Sequence, residues 1–260
     1  RASSTISPVI QSGCITIMGG PHPSALPVRT LDELGALDFL VKGEGEKTFT
    51  DFLHWLAGGR AAKPHIPGLY LRLQGKVVHP RVRDLMSSEE LNSLPFPAWD
   101  TMLKRGLYYQ QLNYTPMAVP VFSVITARGC PYQCTFCDEG SIWRRKVRHR
   151  HIGAVVDEIR HLVETYKAVH FNILDDTFSL KPSRVMEFCE KVAPLNIQYR
   201  ITANVTTITP QMLGALAESG CKLVAYGVES GDQEVLRRMK KRQTLEQVRE
   251  AFRMTKRSGM

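Results

Sequence analysis

"VFSVITARGCPYQCTFC", residues 121–137, decides how the chain is read. Its first part, Val121 to Ala127, is an apolar, β-branched run with the length of a buried strand. Its second part sets Cys130, Cys134 and Cys137 at C-x3-C-x2-C spacing, so the strand delivers three thiols onto the loop at its C-terminal end. Gly129 and Pro131 bend the backbone so that the sulfurs can converge. Arg128 and the basic run Arg144–Arg150 ("RRKVRHR") favour thiolates and offset the charge of a metal–sulfur centre. Two ligand chemistries fit this pattern. Zinc wants a closed tetrahedral set, with His149 or His151 as the fourth ligand. A four-iron cluster on three cysteines leaves one iron open to a substrate or cofactor.

A strand–helix beat continues from residue 119 to the end. Strands are expected at 168–174 ("AVHFNIL"), 197–204 ("IQYRITAN") and 221–228 ("CKLVAYGV"). Helices are expected at 152–166, where Val155, Ile159, Leu162 and Val163 share a face, and at 183–193. Thr209-Pro210 caps a third helix that Gly220 ends, and Thr244 with Gln247 forms a capping box for the last. Four β/α units argue for a parallel sheet with its functional residues at the strands' C-terminal ends.

Residues 14–57 read strand, turn, strand, helix, with the strands closed by Gly19-Gly20 and by the Gly43–Glu46 loop. Glycines at strand ends let a ligand approach the backbone closely. Residues 58–118 read as a connector. It holds a hairpin turning near Gln74-Gly75, a Pro-rich segment "LNSLPFPAWD", and Trp99, Tyr108, Tyr109 and Tyr114 to pack it against its neighbours.

The composition is that of a globular protein, with 43% hydrophobic and 23% charged residues among 260. No apolar run reaches membrane-spanning length. The net charge of +9 raises nucleic acid as a partner, but the basic residues are dispersed and the one dense run is read as a solvated segment or an anion cradle. The six cysteines do not form the even framework of a secreted disulfide domain, so a reducing cytoplasm is the expected compartment. Cys14, Cys189 and Cys221 are expected to be small buried core residues. The chain begins at Arg1 inside apparent structure and stops where a helix ends, so a piece of a longer protein, cut at both ends and impaired in turnover, is expected.

"CPYQCTFC", with Phe136 at its aromatic position, resembles the signature of the radical S-adenosylmethionine (SAM) superfamily. The resemblance implies an α/β fold, a partial (β/α)6 barrel over 119–260 of which the first four units are present. It also implies a [4Fe-4S] cluster on Cys130, Cys134 and Cys137, with SAM chelating the open iron and split reductively to a 5′-deoxyadenosyl radical. "ILDDTFS" (173–179) and "YGVESG" (226–231) occupy the places of SAM contacts, so Asp175, Asp176, Glu229 and Ser230 are the candidates, with Phe136 beside the adenine. "IMGGPHPSALP" and "LDFLVKGEGEKTF" resemble the end of the Rossmann-like cobalamin-binding domain of one subfamily, over residues 1–57, with Gly19, Gly20, Gly43 and Glu44 as cobalamin contacts. The family's Asp-x-His-x-x-Gly cobalamin motif is absent from this stretch, and Asn204 stands where an arginine is expected.

The function so implied is cobalamin-dependent methyl transfer, or a related radical rearrangement or cyclisation, on a small-molecule or peptide substrate. The electron donor would be a flavodoxin or ferredoxin. The alternatives are a radical SAM enzyme whose cobalamin domain is vestigial, and a zinc-stabilised module that binds nucleic acid.

Overall fold

The computed structural model describes residues 14–59, 64–104 and 121–260. Residues 119–120 of the expected barrel, and Tyr108, Tyr109 and Tyr114, lie outside the described residues. The chain folds as two units. One contains the described residues up to Met86 together with Cys137–Arg145, and the other contains Ser87–Phe136 and Lys146–Met260.

The first unit is built on a mixed four-stranded sheet. Strands β1 (Ile17–Met18) and β2 (Phe39–Val41) are parallel. Strand β3 (Leu69–Leu73) pairs antiparallel with β2, and β4 (Lys76–Val78) with β3, giving the order β1-β2-β3-β4. The hairpin expected inside a connector is therefore the antiparallel edge of this sheet. Its turn falls at Gln74 and Gly75, both at positive φ (48° and 77°), which matches the twist of a two-residue hairpin. Helix Glu46–Ala57 lays Phe52 against Val41 and Leu69, with Phe39 and Trp55 completing the aromatic side of that core. Two short helices, Pro21–Ala25 and Pro27–Glu33, stand where the sequence suggested only a turn. Each begins with proline at its first position, where the missing N–H has no helical partner to lose.

The second unit holds four parallel strands, β5 (Val121–Val124), β8 (His170–Ile173), β9 (Gln198–Ala203) and β10 (Cys221–Tyr226), in the order β10-β9-β8-β5. Each strand lies next to its predecessor, with helices Ile152–Tyr166, Pro182–Val192 and Pro210–Glu218 between them in sequence. A separate two-stranded ribbon pairs β6 (Ala127–Arg128) with β7 (Arg148–His149). The helix Ile152–Tyr166 buries Ile152, Val155, Val156, Ile159 and Leu162 along one face, the stripe its apolar period requires. Strand side chains are buried on both faces, as parallel sheets demand: Phe171, Asn172 and Ile173 are consecutive and all buried. Phe122, Phe171, Phe188 and Tyr199 form the aromatic centre, and Trp99 packs edge-on to Phe122 with centroids 5.1 Å apart.

Cys189 and Cys221 are buried in this core as expected, and burial pushes the Cys221 thiol up to about 12, so it stays protonated. Cys14 is exposed, contrary to expectation, because it precedes β1 rather than lying within it.

Gly220 sits at φ +102°, and a Cβ there would stand 2.1 Å from the Ile197 carbonyl oxygen. Gly220→Ala is expected to destabilise the protein by about 2–4 kcal/mol, because both backbone segments must move. Gly214→Ala, in the helix Pro210–Glu218 with no heavy atom within 4 Å of the new Cβ, should instead stabilise it, by about 0.5–1 kcal/mol. Urea unfolding of the two variants checks both signs.

Candidate active site

Strand β5 ends at Val124, three residues before the expected end, because the chain bends at Ile125 and Thr126 before entering β6 at Ala127, and side chains hold that bend. The Asp175 carboxylate, 4% exposed, accepts from Thr126 N (2.6 Å), Ala127 N (3.0 Å) and the Thr126 hydroxyl (2.5 Å). Arg150 donates through Nη1 to the Ile125 carbonyl (2.9 Å) and through its backbone N to the Thr126 carbonyl (2.9 Å). Arg184 adds bonds to the Arg150 and Thr126 carbonyls at 2.7 and 3.3 Å. The next two residues of the β8 exit continue in register along the loop. Asp176 Oδ2 accepts from Gly129 N (3.2 Å), and the Thr177 hydroxyl lies 3.8 Å from Cys130 Sγ. "DDT" thus grips "TARGC" one residue after another.

This alters the expected role of Asp175. Its carboxyl faces the protein and is committed to the turn, so it is a clamp on the cysteine loop. Burial pushes it up to about 6, although the bonds from Thr126 and Ala127 and the Arg184 charge pull the other way. Asp176, one residue on, is exposed beside the loop. The basic run is also not simply solvated. Arg150 forms a largely buried ion pair with Glu158 at 2.6 Å, and Arg144 donates to the Arg83 carbonyl.

The three cysteines are outside any disulfide, Cys130 and Cys134 half-buried and Cys137 exposed. Cys130, Cys134 and Phe136 belong to the second unit, and Cys137 opens the segment that folds with the first. Among the described residues, no three His, Cys, Asp or Glu side chains are gathered as a metal site. What fits a metal–sulfur centre is the donor set itself, thiols on a loop whose backbone is fixed from the neighbouring strand. His149, paired with Ala127 in the ribbon, has a buried Nδ1 without a hydrogen-bond partner. Burial, with Arg184 and Lys181 nearby, pushes its imidazole down to about 4, so it is neutral at pH 7. His151 is exposed and precedes the helix Ile152–Tyr166.

At the end of β10, Glu229 adopts φ +70°, rare for a residue with a Cβ. Its carboxylate is 3.1 Å from Lys241 Nζ, which also lies over the Phe136 ring at 5.7 Å from the centroid. Ser230 Oγ accepts from Asp232 N (3.1 Å). Phe136 is 52% exposed, so this aromatic position is surface rather than core. In the sequence Lys241 and Gln243 carry no signal beyond their place in the polar turn before the capping box.

In the first unit, Gly19, Gly20, Gly43 and Glu44 all line one open cleft, together with Phe49 and Trp143. Gly20 (φ +110°) and Gly43 (φ +83°) present bare backbone, with no heavy atom within 4 Å of where a Cβ would stand. The fully buried Ser24 hydroxyl holds Gly43 N at 3.0 Å. Glu44 is directed to the protein, accepting from Met86 N at 2.8 Å.

Comparison with known proteins bears on both units. The family profile described as "Radical SAM superfamily" matches residues 124–260. An uncharacterised methyltransferase of Pyrococcus horikoshii is 30% identical over 253 residues, 96% of this chain and 53% of that protein. An anaerobic magnesium-protoporphyrin IX monomethyl ester cyclase of Rubrivivax gelatinosus is 29% identical, over 98% of this chain and 46% of that protein. Among solved structures, the cobalamin-dependent SAM radical enzyme OxsB, with aqua-cobalamin and SAM bound, superposes with a TM-score of 0.75 at 22% identity. That match covers 97% of this chain and 36% of OxsB. The chain spans about half the length of the curated relatives it matches.

The raised Asp175 carboxyl fixes the sign of a pH effect. Its folded value, about 6, lies above the ordinary 3.8, so the folded state holds a proton that the unfolded chain releases. The contribution to stability is complete below about pH 4 and is lost as pH rises through about 6. Asp175→Asn lacks this loss. Its stability relative to the parent should therefore rise with pH across that window, by up to about 1.4 kcal/mol per unit, as read by urea unfolding of metal-free protein.

Proposed function

The chain belongs to the radical SAM superfamily, and on that premise we propose that it is the core of an enzyme that cleaves SAM reductively and uses cobalamin to transfer a methyl group. Ring closure or rearrangement is the related outcome, in keeping with the cyclase among its relatives. The observation that carries the reading is the register of Asp175, Asp176 and Thr177 on the loop 126–130, which fixes a cysteine loop at the C-terminal edge of a parallel sheet.

Cys130, Cys134 and Cys137 would hold a [4Fe-4S] cluster, leaving its fourth position to SAM. When bound, the cluster supplies the electron that splits the sulfonium into methionine and a 5′-deoxyadenosyl radical, and methylcobalamin supplies the methyl group. The protein's own work is to bind, orient and exclude water. Asp176 accepts from the SAM ammonium, and Glu229 and Ser230 offer polar contacts at the end of β10. Phe136 offers an exposed ring to the adenine. Gly19, Gly20, Gly43 and Glu44 would line the place of cobalamin's nucleotide tail, a reading supported by the two glycines that leave backbone open to close approach in their cleft.

The substrate is a small molecule or peptide, and the electron donor a flavodoxin or ferredoxin, in a reducing cytoplasm. No helix among the described residues is long and apolar enough to cross a membrane. One observation keeps zinc as the second reading: His149, paired with Ala127 at the base of the cysteine loop, has a buried Nδ1 without a hydrogen-bond partner.

Iron and sulfide analysis after anaerobic reconstitution separates the two. About four of each per chain are expected, falling to background when Cys130, Cys134 and Cys137 are all replaced by Ala. One zinc without sulfide overturns the radical reading. Corrinoid absorbance is expected when the full-length protein, with the residues upstream of this stretch, is incubated with cobalamin, and its absence there would leave the first unit vestigial.

A further inference from the structure

Lys240, Lys241 and Arg242 follow one another, yet the fold treats them differently. Lys240 (φ 56°) and Arg242 (φ 52°) take left-handed conformations and are exposed, which turns the Lys241 side chain inward until it is 12% exposed. Two non-glycine residues in that conformation within three positions are a strained arrangement, retained when surrounding contacts determine it.

Those contacts run to two places at once. Toward the cysteine loop, the Met239 carbonyl accepts from Thr135 N at 3.0 Å, and the Lys241 ammonium lies over the Phe136 ring. Toward the end of β10, Lys241 Nζ donates to Glu229 Oε1 at 3.1 Å, and Gln243, 4% exposed, donates through Nε2 to the Val228 carbonyl at 2.9 Å. Gly227 makes room for this. A Cβ there would meet Glu229 Oε1 at 2.7 Å and Lys241 Nζ at 3.0 Å. Gln243 is itself fixed, its carbonyl accepting from Gln233 Nε2 at 3.0 Å while Gln233 Oε1 accepts from Leu245 N.

We propose that Lys241 is a positioning residue for SAM: it orients the Glu229 carboxylate and the Phe136 ring together, so that the cysteine loop and the β10 exit present their contacts as one site. With Oε1 engaged by the ammonium, the second carboxylate oxygen would be the one to contact the ligand. The left-handed backbone at 229 is held by the same ion pair and by the Gln243 bond to Val228. The pair is partly buried, with Lys241 12% and Glu229 35% exposed, so iron content is read beside SAM saturation to separate a loss of folding from a loss of ligand binding. The proposal rests on the radical SAM reading above.

The test uses reconstituted protein. The readouts are iron content and the SAM concentration that half-saturates the change in the reduced cluster's electron paramagnetic resonance spectrum. Lys241→Met should keep its iron while the half-saturating concentration rises about tenfold or more, the usual loss for a charge-assisted bond. Lys241→Arg, which keeps the cation, should recover most of the affinity. Glu229→Gln should match Lys241→Met, and the double variant should be little worse than either single one, since both break one coupled pair. Unchanged SAM saturation in Lys241→Met, or strict additivity in the double variant, overturns the proposal. Loss of iron in all the Lys241 variants also overturns it, by giving the lysine a purely structural role. Parent protein that takes up no iron overturns the cluster reading and the proposal with it.

Discussion

The Asp175 carboxylate, buried between two strand ends, is the constraint from which the site follows. It satisfies two backbone N–H groups and one hydroxyl of the turn after β5, groups that would otherwise be buried without partners. Leaving such donors unmade costs about 1–3 kcal/mol each, so the turn and the β8 exit are fixed together. The burial that makes this clamp effective also raises the proton affinity of the carboxyl. The adjacent Asp176 is exposed, and its carboxylate accepts from Gly129 N.

The same logic extends across the sheet. In a singly wound run of parallel strands, all C-terminal ends lie along one edge, so loops distant in sequence become neighbours. The loop after β5 is held from the β8 exit by Asp175, Asp176 and Thr177. It is held again from beyond β10 by Met239 and Lys241. The cysteine loop therefore has little regular structure of its own and is shaped by side chains from other parts of the chain. The cations that looked like a solvated run contribute as well, since Arg150 spends its donors on the carbonyls of the turn and its charge on Glu158.

Much of the fold was legible because it is governed by local rules. The apolar period placed the helix Ile152–Tyr166 at its observed bounds, and the Thr209-Pro210 cap and the Thr244–Gln247 capping box form the bonds their sequence implies. Two short helices after Gly20 were missed although Pro21 and Pro27 marked their first positions, because five to seven residues are too few for a period to show. Cys14 has apolar neighbours in sequence, yet it stands just outside the strand and is exposed. The hairpin at Gln74-Gly75 was recognised, but its pairing with β2 was not, since strand pairing is a long-range matter.

By itself the sequence determined the family, the alternation of strands and helices, the three-cysteine loop at a strand's end and the glycines that line a cleft. These are encoded in spacing, periodicity and residue chemistry within short windows. Only the tertiary structure decided which of two adjacent aspartates clamps the loop and which faces outward. It alone selected Lys241 from three consecutive cations and joined it to Glu229 and Phe136. Neighbouring side chains of like chemistry are equivalent in a sequence, and burial, backbone conformation and the partners brought by distant strands make them different.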